Sequence, residues 1–277
     1  MKKIIVPIDF SAHSVYALKA AVLLSKKIAV EIYALHMLDI KDGSLVQSSE
    51  FSKEKGVFFL KLAEKKIEKF LQKDFLKEVK VVSIIKHYKV FSEVNLIAKE
   101  IKADLIIMGS HGASGLKEFF TGSNTEKVIR YAEIPVLILK NELNDVDFSE
   151  IVFATDFSKE TIPAFNKMLE SLDFLGAKKH LLFVNTPNEN FKTTPQMDAL
   201  ANHFLLEAEG NTDRLEQVHF VCARTIEEGI LNFANAAGAD LIALITHGRK
   251  GLSHVFSGSI SEDISNHSAL PIMTFKM

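Results

Sequence analysis

Gly109-Ser110-His111-Gly112, then nine residues, then Gly122-Ser123: this stretch decides the fold, because the chain contains it twice. The second copy runs Ile245-Thr246-His247-Gly248, nine residues, Gly258-Ser259. Both follow the same lead-in, Ala103-Asp104-Leu105-Ile106 and Ala239-Asp240-Leu241-Ile242. An apolar run that stops at glycine, with a Gly-Ser pair opening the next segment, reads as strand, loop and helix N-terminus. Glycine in such a loop lets backbone N–H groups approach an anion, and a helix N-terminus supplies more of them. The copies differ at the first glycine, where Gly109 faces Ile245, so unequal sites are expected.

Two further matches set the length of the repeat. Asp9 in Ile8-Asp9-Phe10-Ser11 corresponds to Asp156 in Thr155-Asp156-Phe157-Ser158, an offset of 147 residues. Gly112, Gly122 and Pro135 correspond to Gly248, Gly258 and Pro271, an offset of 136. The second unit is therefore 11 residues shorter between its first strand and its loop. Lys140 to Ser149 reads as a polar, acidic linker, which divides the 277 residues into units 1–145 and 146–277. Each exceeds the length at which a domain can bury its own core.

Apolar runs bounded by turn residues predict strands near 3–8, 30–37, 79–85, 104–109 and 135–139, then 150–155, 179–185, 217–222, 240–245 and 271–275. Helical periodicity predicts helices near 12–27, 52–73, 91–102 and 123–132, then 159–173, 195–209, 226–237 and 259–267. Strands such as Leu105-Ile106-Ile107-Met108 are apolar without alternation, as strands covered on both faces are. Alternating strands and helices with short connections predict two tandem, doubly wound, parallel α/β sheets with helices on both faces. Ligands of such sheets bind at the carboxyl ends of strands, where strand order reverses.

Composition narrows the classes. Hydrophobic and charged fractions of 47% and 25% are those of a globular protein. Apolar runs are too short for a signal peptide or a membrane span, and Cys222 is a lone cysteine that reads as core filler; both point to a cytoplasmic protein. Residues 1–140 carry 23 Lys+Arg against 16 Asp+Glu, a net of +7, and the remainder carries 10 against 19, a net of −9. Opposite signs favour docking of the halves and an anionic ligand in the first. Lys61, Lys65, Lys69 and Lys73 form one helical stripe, with Phe58, Phe59, Leu62, Ile67 and Leu71 as apolar positions, which reads as an amphipathic helix over a sheet. No aromatic pattern supports nucleic-acid binding, and no surface for a membrane is expected.

Within the first unit, Asp9 closes the first strand, where a carboxylate can accept hydrogen bonds from a sugar or instead cap the following helix. Ser11 and Ser158 are candidate helix N-caps. His36 and Met37 end the second strand, with backbone groups able to read an adenine edge and side chains that read as packing. His111 and His247 lie inside the loops. No Walker A lysine follows Gly122, no GxGxxG follows the first strand, and no nucleophile–base set is recognisable. Histidine spacing, His247 and His254 included, gives no metal site.

Asp-Phe-Ser after the first strand, GSHG, nine residues, GS, and Ile134-Pro135-Val136-Leu137 together resemble the universal stress protein family, and the resemblance covers both units. It implies strand order 3-2-1-4-5 in an adenine-nucleotide alpha-hydrolase-like fold, with ATP, with or without Mg2+, between the ends of the first and fourth strands. It carries over to Asp9, the Met37 backbone, Gly109, Gly112, Gly122, Ser123 and Asn124. It also implies pairing through fifth strands, here Leu137-Ile138-Leu139 with Ile272-Met273-Thr274, as an intrachain pseudo-dimer; a homodimer of whole chains is a further expectation. Two departures stand out. Tyr88-Lys89-Val90 replaces the usual Gly-x-Pro after the third strand, and Ile245 replaces a glycine. A branched side chain at that place is expected to narrow the approach to ribose, so that Ile245→Gly would strengthen a weakened second site. The expected function is a stress-response sensor or binding module rather than an enzyme; slow ATP hydrolysis or nucleotidyl transfer, and a nucleotide-independent scaffold, are the alternatives.

Overall fold

The computed structural model describes residues 1–38, 50–87, 93–110, 124–188, 190–246, 264 and 268–277. The first half runs β1 (Lys3–Pro7), α1 (Ala12–Lys27), β2 (Glu31–Leu38), α2 (Glu50–Leu71), β3 (Val81–His87), α3 (Glu93–Ile101), β4 (Leu105–Gly109), α4 (Asn124–Tyr131) and β5 (Val136–Leu139). The second runs β6 (Glu150–Ala154), α5 (Ile162–Leu172), β7 (Lys178–Asn185), α6 (Thr194–Glu209), β8 (Val218–Cys222), α7 (Ile226–Ala236), β9 (Leu241–Thr246) and β10 (Ile272–Lys276). Of the helix expected near 259–267 only Ile264 is described, helical and buried; the rest lies outside the described residues.

Strand order across the molecule is β3-β2-β1-β4-β5-β10-β9-β6-β7-β8. Each half is thus a parallel 3-2-1-4-5 sheet, and the two halves form one ten-stranded sheet. The joint is the antiparallel pair β5–β10, with Ile272 opposite Ile138, Met273 opposite Leu137 and Thr274 opposite Val136. All four residues of β5 are buried. Left open, so apolar an edge would expose a row of unpaired backbone groups, and pairing the two edges removes both.

Alternation along the central strands sorts the core into two layers. Ile4 and Val6 point to one face, with Leu18, Ile67, Phe165 and Phe204 of α1, α2, α5 and α6. Ile5 points to the other, with Val94, Val128 and Ile230 of α3, α4 and α7. Each layer runs through both halves. The segment between β5 and β6 is less solvated than its composition implies, because Val146 and Phe148 are buried in the first layer. Its acidic residues do meet the basic half: Lys19 pairs with Glu142 and Lys27 with Asp147. Such partly exposed pairs contribute only about 0–1 kcal/mol each. The ladder and the shared core therefore hold the halves together more than the opposite net charges do.

The shortening of the second repeat falls largely in one helix, since α6 has 16 residues where α2 has 22. Helix α2 packs through Ala63, Ile67 and Phe70, and Phe58, Phe59 and Leu62 are exposed, so the apolar positions assigned to its inner face were only partly correct. Cys222 is exposed at the end of the edge strand β8 and is not core filler. Of the two predicted caps, Ser11 Oγ accepts the Ser14 N–H at 3.2 Å, whereas the Ser158 side chain makes no capping bond. There the helix opens with a tighter turn, Lys159–Thr161, and Pro163 follows at the start of α5.

The repeated Asp104 and Asp240 are strand anchors. Asp104 Oδ2 accepts the N–H groups of Lys2 at 2.6 Å and Lys3 at 2.9 Å. Asp240 Oδ2 accepts from Ser149 N–H at 2.9 Å, Ser149 Oγ at 2.8 Å and Glu150 N–H at 3.0 Å. For both, burial raises the pKa, but the hydrogen bonds outweigh it and hold the carboxyl below the ordinary value. A depressed folded pKa stabilises above the unfolded value near 4, and that stability is lost as pH falls through the folded value. Asp240→Ala is expected to cost about 1–3 kcal/mol at pH 7. Urea midpoints at pH 7 and pH 3 check this: the deficit should shrink in acid, and an equal deficit at both would show that the charge is not involved.

Candidate functional site

The chain reverses direction of travel across the sheet at β1, which sits between β2 and β4. The carboxyl ends of β1, β2 and β4 therefore border one crevice. The β1–β2 ladder stops at Pro7 opposite Leu35, and Ile5 is level with Ile106. Met37 and Gly109 thus stand just beyond the last β1 pairs, beside Asp9. Of the seven predicted binding residues, these three are brought to one edge. Gly112, Gly122 and Ser123 lie outside the described residues; Asn124 opens α4 and its side chain is likewise undescribed. The same holds for His111, His247, His254 and Tyr88-Lys89-Val90.

Met37 offers its backbone to the crevice for a geometric reason. In a strand the N–H and C=O of one residue point the same way, and the direction alternates along the chain. The Ile8 N–H donates to Leu35 O at 2.7 Å, so Leu35 faces β1 and Met37, two residues on, faces the same side. The ladder with β1 has ended by then, so among the described residues this donor and acceptor have no strand partner on that side. His36 faces β3 instead. Its Nδ1 lies 2.8 Å from Ile8 O, and because a carbonyl only accepts, Nδ1 carries the proton.

The Asp-Phe-Ser turn has a conformation that neither its composition nor its spacing reveals. Phe10 and Phe157 have φ of 68° and 54°, in the left-handed region that disfavours a Cβ. Packing holds each ring in place. Phe10 lies 4.5 Å from the His36 ring and 5.5 Å from Phe70, and Phe157 is buried among Phe183, Phe204 and Phe220. Asp9 Oδ1 accepts the Ser11 N–H at 2.9 Å, and Asp156 Oδ1 accepts the Ser158 N–H at 2.9 Å. Partial burial raises the Asp9 pKa, but hydrogen bonds from Ser11 and Ser14 outweigh it and keep the carboxyl below its ordinary value. Asp9 is thus a turn-forming residue, yet it is exposed.

Gly109 serves packing as well. A Cβ there would lie 2.2 Å from His13 O and 2.4 Å from His13 C, in the first turn of α1. Close approach of helix to strand, rather than a left-handed φ, requires the glycine. This corrects the reading of Ile245 as an obstacle to ribose. Gly109 is opposite Leu139 and Ile245 is opposite Phe275, so the two are equivalent, but Ile245 is fully buried in the core. Its side chain belongs to the same core layer as Phe165 and Phe275.

Two other features distinguish the end of β7 in repeat two. A Cβ on Gly229 of α7 would lie 2.5 Å from Val184 Cγ1, and Val184 holds the position of Met37, so α7 sits directly on the end of β7. Asn185 staples the following loop to the strand, donating from Nδ2 to Lys192 O at 2.8 Å and accepting the Lys192 N–H at 3.1 Å. In repeat one a cation overlooked in the sequence stands near the loop: Lys140 follows Leu139, whose carbonyl accepts the Ser110 N–H at 2.8 Å. Burial lowers the Lys140 pKa. Among the described residues no cluster of three or more His, Cys, Asp or Glu could hold a metal.

These observations define a doubly wound α/β protein whose two repeats each place a switch point at their first strand and differ in the residues around it. The Universal stress protein family model matches residues 1–140 and again 147–276, and the chain belongs to that family. A universal stress protein of Methanocaldococcus jannaschii is 34% identical over 146 residues, spanning 50% of this chain and 82% of that protein. One of Synechocystis is 22% identical and aligns over the whole of both chains. The crystal structure of a universal stress protein from Archaeoglobus fulgidus, 22% identical, covers 99% of this chain and 96% of its own, with a TM-score of 0.70, and shares the fold.

Proposed function

We propose that repeat one binds an adenine nucleotide, ATP with or without Mg2+, and that the protein is a cytoplasmic stress-response binding module. The observation that carries this reading is the Met37 backbone at the β1 switch point, which has no strand partner on its β1 side among the described residues and stands beside Asp9, where repeat two has Val184 under α7. The Met37 N–H and C=O match the acceptor and donor of an adenine edge, and Asp9 suits ribose hydroxyls. Gly112, Gly122, Ser123 and Asn124 would meet the phosphates at the α4 N-terminus. ATP brings the phosphate charge and the base; the chain orients them. The β5–β10 ladder supports reading the two repeats as an intrachain pseudo-dimer. A homodimer of whole chains would need another surface, because both fifth strands are already paired.

Calorimetry is expected to find about one ATP per chain, and Gly122→Val is expected to abolish that binding in a protein that still folds, because a side chain would block the helix N-terminus. Two equal sites, or unchanged affinity in the variant, would overturn the assignment.

A weak hydrolase is the second reading, and Lys140 near the loop is the feature that favours it. We expect negligible turnover all the same, because phosphoryl transfer needs several positioned charges around the transferring group. Steady-state hydrolysis at about 1 s⁻¹ or faster, the range of working kinases, would replace the binding-module reading.

A further inference from the structure

At the amino ends of β6, β7 and β8, the edge opposite the crevice, three titratable side chains form a chain. Glu150 Oε2 is 2.5 Å from His180 Nε2, and His180 Nδ1 is 2.9 Å from His219 Nε2. His180 is only 5% exposed. Phe233 of α7 covers both rings, with centroids 5.8 Å from His180 and 4.9 Å from His219. The fold does not require this network. By strand register its counterparts in repeat one are Lys3, Tyr33 and Ile84, which form no such chain.

We propose that Glu150, His180 and His219 form a proton-sensing element of repeat two, a chain whose two imidazoles together accommodate one added proton and are driven apart by a second. With Glu150 ionised, its oxygen only accepts, so His180 Nε2 carries a proton. His180 Nδ1 then accepts from His219 Nε2–H. One proton from solvent can bind His219 Nδ1 while the bridging proton shifts from His219 Nε2 to His180 Nδ1. Both hydrogen bonds survive, and the trio goes from a net charge of −1 to zero. On the imidazoles the next proton must enter the bridge at His219 Nε2, where it sets two N–H groups face to face at 2.9 Å; Glu150 can take a proton only on Oε1 without disturbing the bond at Oε2.

The surroundings resist that second proton. Lys178, at 3.9 Å from Glu150 Oε2, adds positive charge. Burial first, then the charges of His180 and Lys178, hold His219 below the usual imidazole range. Asp240 is a negative group on the far side, bound to Ser149 and to the Glu150 N–H, and α7 contributes the Phe233 ring.

In the unfolded chain both imidazoles titrate near pH ~6.5. Below that pH the unfolded state binds two protons and the folded state one. The folding constant should then fall about tenfold per pH unit for that excess proton. His219→Ile installs the repeat-one residue and leaves a His180–Glu150 pair that takes its proton without conflict. Urea unfolding of the full chain between pH 7.5 and 5 should show the wild type losing up to about tenfold more per pH unit than His219→Ile. Parallel pH curves would overturn the proposal. Should that variant fail to fold, ring-nitrogen NMR of the wild type decides. Uptake of one proton by the two imidazoles before unfolding supports the element, and uptake of two, or of none, overturns it.

Discussion

Gly109→Ala is expected to destabilise the protein by about 3 kcal/mol or more, the upper end of overpacking effects. That is a large share of a typical net stability of about 5–15 kcal/mol. The added methyl would stand 2.2 Å from His13 O and 2.6 Å from His13 Cβ. The nearest atom belongs to backbone, so no rotamer change relieves the overlap and α1 must lift from β4. That movement would disturb the Ser11 cap and, through the Ser11 N–H, the orientation of Asp9. Nucleotide affinity in repeat one should fall together with stability. Urea unfolding gives the first quantity and calorimetry the second. A variant of wild-type stability would show that α1 does not press on β4 at this point.

Ile245→Gly is expected to cost about 3–5 kcal/mol, combining an Ile-to-Ala core truncation with the entropy of a glycine in a strand. Ile245 has no exposed surface and lies in the layer shared with Phe275 and Phe165. Removing it leaves a cavity beneath α5 and opens no path to a ligand. With repeat one blocked by Gly122→Val, no heat of binding is expected at millimolar ATP. Binding there, with stability unchanged, would restore the view that the side chain obstructs the second site. The same substitution thus tests two physical accounts of one residue, and burial is what separates them.

Why the sequence misassigned Ile245 is instructive. Its alignment with Gly109 is correct, and the strand register confirms it. Alignment identifies which residues correspond but not what each one touches. Gly109 lacks a side chain because α1 is close, and α1 is close because Ser11 starts a regular helix at once, whereas the second repeat begins with a tighter turn at Lys159–Thr161. The difference arises from a segment about a hundred residues away in the chain. Phe58 and Cys222 show the same limit: apolarity alone predicted burial, and the layer of helices and the sheet edge left both exposed. Asp104 and Asp240 were legible as repeat markers only, since their partners at Lys2, Lys3, Ser149 and Glu150 are distant in sequence.

The sequence by itself determined the duplication, the α/β alternation, nearly every element, and the family, because these rest on local periodicity, turn residues and a motif at constant spacing. It also marked the two repeats as unequal. Only the tertiary structure decided that the fifth-strand pairing implied by the resemblance is antiparallel and merges both halves into one sheet, which side of β2 the Met37 backbone faces, and that Phe10 and Phe157 adopt left-handed turns. It also decided that Ile245 is buried, that α7 packs on Val184 and that Asn185 staples the loop after β7. Each of these depends on which distant segments come within a few ångströms of one another. Packing at that range is a property of the whole chain, and no local pattern encodes it.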